Sequence, residues 1–253
     1  MKITPLGDSA AIIRVRDRFE DAPEKTLNEV LHVFHRLKSA AIPGVIDLAP
    51  AYTTVAVFFD PCGIAKAGPN PDQVLDCLTK RIRAAVTGGD LSAVAAAKAD
   101  DRDRPVRPKS RLVEVPVCYD PEFAFDLDHV AQHAHISPRK VVDFYSAAEY
   151  RVGCIGFTPG FPFLTGLPKQ LATPRRAIPR KEIPAGSVGI GGVQTGIYPL
   201  RSPGGWNIIG RTPVCLFDPA KIPPTLLRAG DRVRFRAITR EEFDALKPQS
   251  LNR

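Results

Sequence analysis

From Tyr150 to Gly230 this chain cannot run as long regular elements, because glycine and proline interrupt it every few residues. Glycine relaxes the backbone; proline fixes φ and deletes an N–H donor. The stretch GFTPGFPFLTGLP, Gly156 to Pro168, holds three prolines and two Gly-Phe pairs in thirteen residues. Between such corners stand short apolar runs: RVGCIGF, SVGIGG, WNIIGR, VCLFD and DRVRFRAI. Short strands at this spacing predict a β-barrel or sandwich. The phenylalanines of GFTPGF need a dry surface, so the stretch is either a tight corner or the wall of a binding cleft.

The first half has a different grammar. AAIIRV reads as a strand, and residues 23–39 place Leu27, Val30, Leu31, Phe34 and Leu37 at helical spacing. Pro43-Gly44 breaks the chain before the strand VIDLA; TTVAVFFD follows as another. Asn70-Pro71 opens a second helix through Val86. The order β-α-β-β-α predicts an α+β domain over 1–87, a small antiparallel sheet backed by two helices in a ferredoxin-like arrangement. Residues 88–110 are small, charged and broken by proline, which predicts a linker. A mostly-β domain over 111–240 follows, opening with the strand RLVEVPVCYD and two short helices, Asp128 to Ala134 and Ser137 to Ser146. Residues 241–253 are expected to be a carboxy-terminal tail.

Charge is unevenly spread. Of a formal net +8, the segment from Arg151 to Phe217 carries eight basic residues against the single acid Glu182, a net +7. Such a field attracts small anions; a solvated basic face is the alternative. No aromatic-basic RNA motif stands out, so nucleic acid is not expected. In TPRRAIPRKEIPAGS, Arg175, Arg176 and Arg180 sit between prolines. Guanidinium forks there would meet a carboxylate or phosphate with little further loss of backbone freedom. Trp206, the sole tryptophan, follows Pro203-Gly204-Gly205 and is expected at a cavity rim.

Other chemistries find little support. All five histidines lie at or before residue 135, which argues against a Ser-His-Asp or Cys-His mechanism within the Gly/Pro-rich region. His129 and His133 lie four apart on a helix face, yet the glutamate of HExxH is missing, so no metal is expected. GxxxxGK[ST] is absent, although the glycines of AGSVGIGGVQTG could serve either a phosphate or barrel corners. The five scattered cysteines include no CxxC pair, and no apolar run reaches the roughly 20 residues of a membrane span. Without a signal-peptide pattern at MKITPLGDSAAIIRV, a cytoplasmic location is expected, with no membrane partner.

Taken together, GFTPGFPFLTGLP and LATPRRAIPRKEIPAGSVGIGGVQTGIYPLRSPGGWNIIGRTP resemble the signature of the 5-oxoprolinase B-subunit family. That family includes the KipI-type kinase inhibitors and proteins called allophanate hydrolase subunit 1. PLGDSA, IPGVIDLAPAYTTVAVFFDP and VPVCYDPEF fit it too, so the resemblance spans residues 3 to 236. It implies a cyclophilin-like barrel and two partner chains, the KipA-type C subunit of the enzyme together with its A subunit. It also implies ATP-dependent opening of 5-oxoproline, with ATP and magnesium used at the level of the complex and no activity in this chain alone. Under that resemblance Arg175, Arg180 and Arg211 would bind phosphate or the small anionic substrate, with Gln194 and Tyr198 orienting its ring. Phe157, Pro159, Gly160, Phe161 and Trp206 would form the cleft wall. A sensor histidine kinase as partner, or a urea or allophanate pathway role, are the alternatives the resemblance carries. Two departures stand out: Phe163, where tyrosine is common, and Gly191, where alanine is frequent and the change is expected to matter little.

Overall fold

The computed structural model describes residues 1–66, 73–87 and 110–246. The chain divides into two compact units, Met1–Lys109 and Ser110–Arg253. All but the last residue of the expected linker at 88–110, and the start of the second helix at Asn70-Pro71, lie outside the described residues.

The first unit contains strands β1 (Lys2–Pro5) and β2 (Ala10–Arg14), helix α1 (Pro23–Ala40), then β3 (Val45–Ala51) and β4 (Thr54–Phe59). Helices α2 (Pro61–Lys66) and α3 (Val74–Thr87) complete it. The four strands form an antiparallel sheet in the order β1-β2-β4-β3. An α+β layer is therefore present. The ferredoxin-like order calls for an edge strand after the second helix; here the strand beside β2 is β1, which precedes it. Helix α1 starts on Pro23, where a missing N–H costs nothing, and ends on Ala41 in the left-handed region at φ 43°. Its apolar stripe behaves as its spacing predicts: Leu27, Val30, Leu31 and Leu37 are buried, with Phe34 half-buried. Val30 and Leu37 share a core with Ile13, Val55, Val57, Leu78 and Ile82.

The second unit opens with β5 (Leu112–Cys118), α4 (Leu127–His133) and α5 (Pro138–Ala147). Ser137 caps α5, its Oγ accepting from the Lys140 N–H. The strands that follow are β6 (Glu149–Ile155), β7 (Pro162–Thr165), β8 (Arg180–Ile183), β9 (Ser187–Gly191) and β10 (Gln194–Ile197). Then come β11 (Ser202–Gly204), β12 (Asn207–Arg211), β13 (Arg232–Ile238) and helix α6 (Arg240–Leu246). Seven strands close a barrel in the order β10-β7-β6-β13-β5-β12-β9, which decides between barrel and sandwich. Its one parallel pair is β5 with β13; the other pairs are antiparallel. β8 and β11 form a separate two-stranded sheet.

The barrel is filled, not hollow. Val115, Val117, Val152, Leu164, Val188, Ile190, Ile197, Val233 and Phe235 form one core with Val141 and Tyr145 from α5. Buried hydroxyls there are satisfied, as a low-dielectric interior requires. The Tyr145 hydroxyl lies 2.6 Å from Thr195 Oγ1, which itself donates to the Gly189 carbonyl, and the Tyr150 hydroxyl donates to the Tyr145 carbonyl at 2.8 Å.

Two expectations need correction. VCLFD is not a strand: Phe217 makes only an isolated bridge to Thr225, because Pro213, Pro219, Pro223 and Pro224 deny this stretch a hydrogen-bonded ladder. The tail expected from residue 241 begins instead as helix α6, whose Phe243 is buried against Phe123, Cys118 and Ile238.

Candidate functional site

GFTPGF is the loop between β6 and β7, which pair as a hairpin with Ile155 opposite Pro162. Three backbone hydrogen bonds tighten it. Gly156 donates to the Phe161 carbonyl at 3.1 Å, Thr158 to that of Gly156 at 2.8 Å, and Phe161 to that of Thr158 at 3.0 Å. Phe157 is held at φ 66°, a region that bulky residues rarely enter, with its side chain 63% exposed. Gly160, at φ 79°, presses its Cα against Phe217: a Cβ there would come within 2.9 Å of that residue. Pro159 lies exposed in the turn.

Below this loop lies a second apolar cluster, distinct from the barrel core: Phe161, Ile183, Tyr198, Trp206 and Ile208, with Phe163 against it. The rings meet edge to face. Phe161 is 5.2 Å from Tyr198 and 5.5 Å from Trp206 between centroids, and Phe157 is 5.4 Å from Phe161. Phe163 packs on Phe161 and Trp206, so the position works here as apolar surface. Trp206 is buried at 5% exposure, not poised at a rim. Gly191 is what lets it lie against β9: a Cβ at 191 would stand 2.6 Å from the indole. The expectation that glycine in place of alanine matters little therefore fails; an alanine would have to push the ring away. Burial pushes the Tyr198 phenol up to about 12, while the Trp206 backbone and the charges of Arg175 and Arg180 pull the other way.

The arginines divide into two kinds. Arg176 and Arg180 converge on Asp126, a carboxylate 3% exposed at the start of α4. Arg176 Nη1 reaches Asp126 Oδ1 at 2.7 Å; Arg180 Nη1 and Nη2 reach Oδ2 and Oδ1 at 2.7 and 2.8 Å. The Ile208 N–H donates to Oδ2 at 2.7 Å. Arg175, by contrast, is exposed. Its guanidinium lies over the Trp206 ring, 5.8 Å from the centroid, and no carboxylate pairs with it among the described residues. Arg180, expected to bind substrate, directs two of its N–H groups at Asp126 and lies over the Phe125 ring, 5.6 Å from the centroid. Arg211 joins neither group. Its Nε donates to the Ala185 carbonyl at 2.8 Å, its guanidinium lies over Phe123, and burial lowers its pKa. Gln194 opens β10 opposite Gly191 in the β9–β10 hairpin.

Asp126 is the residue that sequence reasoning missed. It stands outside the basic segment, between Phe125 and Leu127. An acid flanked by Phe125 and Leu127 just ahead of a helix is the only signal it gives, and nearby Asp120, Glu122 and Asp128 dilute it. Two surface hollows lie elsewhere, one lined by Arg14, Arg18 and Lys25 among others, one by Asp128, His135 and Ser137 among others. His129 and His133 are exposed on α4, and no group of three or more potential metal ligands occurs among the described residues.

A filled, closed barrel with an arginine-and-aromatic face beside it defines the class: residues 1–227 match the family described as carboxyltransferase domain, subdomain C and D. The B subunit of 5-oxoprolinase from Bacillus subtilis is 41% identical over 250 residues, covering 98% of each chain. The chain thus belongs to this carboxyltransferase-domain family, in the company of the 5-oxoprolinase B subunits. Among solved structures, TTHA0988 superimposes with a TM-score of 0.69 at 34% identity, over 90% of this chain and 39% of that longer one. The Kluyveromyces lactis urea carboxylase shares the fold, with a TM-score of 0.66 at 20% identity over 96% of this chain and 22% of that one.

Proposed function

We propose that this chain is the B subunit of an ATP-dependent 5-oxoprolinase built from several chains, acting with the A and C subunits to open 5-oxoproline to L-glutamate. The observation that carries the reading is the 41% identity with the Bacillus subtilis protein, sustained along 98% of both chains. The chemistry of the arginine face is compatible with it. 5-Oxoproline is a small lactam bearing one carboxylate. Arg175 offers it a guanidinium, and the rings of Phe157, Phe161 and Trp206 offer an apolar neighbour. Tyr198 keeps its proton at neutral pH and serves as a hydrogen-bonding group, not as a base. Gln194 is kept as a second polar contact.

Magnesium-bound triphosphate does not fit these residues, since Arg176 and Arg180 are both spent on Asp126. ATP is therefore assigned to another surface of the assembly, and activation of the lactam requires the partner chains. The cyclophilin-like barrel and a cytoplasmic location belong to this same reading, and the first unit is taken as a ferredoxin-like variant in which β1 fills the edge that a strand after the second helix would take. The urea carboxylase likeness, at 20% identity, speaks for the fold alone.

The test is co-expression with the A and C subunits followed by measurement of 5-oxoproline-dependent ADP release. The expected result is turnover by the purified complex and none by this chain alone. A verified complex of all three chains that hydrolyses no ATP in response to 5-oxoproline overturns the reading.

A further inference from the structure

We propose that Asp126 is a positioning residue: it pins the loop from Pro174 to Arg180 so that Arg175 alone is presented to a ligand, limiting recognition to a single small carboxylate. The inference rests on the oxoprolinase reading and deepens it.

The geometry is that of a clamp. One buried carboxylate accepts four N–H groups, three from arginines of the loop and one from the backbone of β12 at Ile208. The loop's own backbone is tied to that strand and to the residues just before it as well. Arg176 N–H donates to the Gly205 carbonyl at 2.8 Å, and Asn207 Nδ2 donates to the Pro174 carbonyl at 2.8 Å. Prolines 174 and 179 limit what freedom remains. Arg175 is flanked by these ties, so its backbone is fixed while its side chain stays exposed over Trp206. The paired charges also set specificity. A basic run that looks suited to a polyanion has two of its three guanidinium groups turned inward, and charge-assisted forks of this kind do not open cheaply.

Asp126→Asn keeps the shape and the acceptor for Ile208 but removes the charge and turns an amide NH2 toward a guanidinium. In the complex of all three chains it is expected to raise KM for 5-oxoproline about tenfold with kcat nearly unchanged, as is Arg175→Ala. Because Asp126 acts through Arg175, the double variant should fall no further than Arg175→Ala alone. A second readout needs no activity. Trp206 is the only tryptophan, so its fluorescence in the isolated chain reports the overlying guanidinium. Its emission should shift alike in Asp126→Asn and Arg175→Ala, and stay put in Arg201→Ala. Should Asp126→Asn fail to fold, Arg176→Gln loosens the same clamp and is read the same way.

Additive effects on KM, or a Trp206 signal untouched by loss of the clamp, overturn the proposal. If the wild-type complex lacks oxoproline-dependent turnover while Trp206 still follows Asp126, the functional reading falls and the positioning role stands.

Discussion

At the scale of single residues, two positions carry strain or tolerance that their chemistry alone does not announce. Phe157 occupies φ 66° with most of its ring in solvent, so its conformation is imposed by the three hydrogen bonds of its loop and not by burial. Phe157→Gly relieves that backbone cost, and we expect stability to rise by about 1 kcal/mol, read as a higher urea midpoint. A lower midpoint would show that the edge contacts with Phe161 and Tyr198 outweigh the strain. Gly191→Ala forces a methyl into the indole of Trp206, and the expected loss is about 2 kcal/mol with a shifted tryptophan emission. The basic run is legible as a run, and Arg175, Arg180 and Tyr198 do share one neighbourhood. Which arginine is available is not legible, because the deciding carboxylate lies fifty residues before Arg176 in the chain.

At the scale of elements, legibility follows length and apolar pattern. Helix α1, α5 with its Ser137 cap, and strands β2, β4, β5 and β13 all carry several periodic apolar residues that mark them in the sequence. β7, β8, β10 and β11 are three or four residues long and include proline or glycine, or charged side chains, so nothing local distinguishes them from turns. They exist because neighbouring strands supply the hydrogen bonds. Helix α6 is hidden for a related reason: its single buried anchor, Phe243, has meaning only once Phe123 is known to face it, ring centroids 4.5 Å apart. Phe243→Ala should cost about 3 kcal/mol in chemical denaturation. A change near zero would return this segment to the tail that its sequence suggested.

At the scale of the whole molecule, four of five tyrosines share a common fate. Burial raises the pKa of Tyr119, Tyr145, Tyr150 and Tyr198, the last to about 12. An unfolded phenol titrates near 10, so above about pH 10 the unfolded chain sheds protons that the native one keeps. Native stability is therefore full below that point and falls as pH climbs toward 12. Absorbance at 295 nm should show these phenols ionising together with unfolding, not before it; smooth titration of all five in a still-folded protein would contradict the burial described. The closed barrel itself is readable only as one of two all-β possibilities, because closure depends on which strands pair across the chain. The pairing that closes it has a cost in time. β13 sits between β5 and β6, so until it is synthesised β5 waits more than a hundred residues for its main partner, and both strands present bare edges. A nascent chain that ends before Arg232 lacks the strand that joins β5 to β6, so the barrel stays unclosed until the last of its staves has been made.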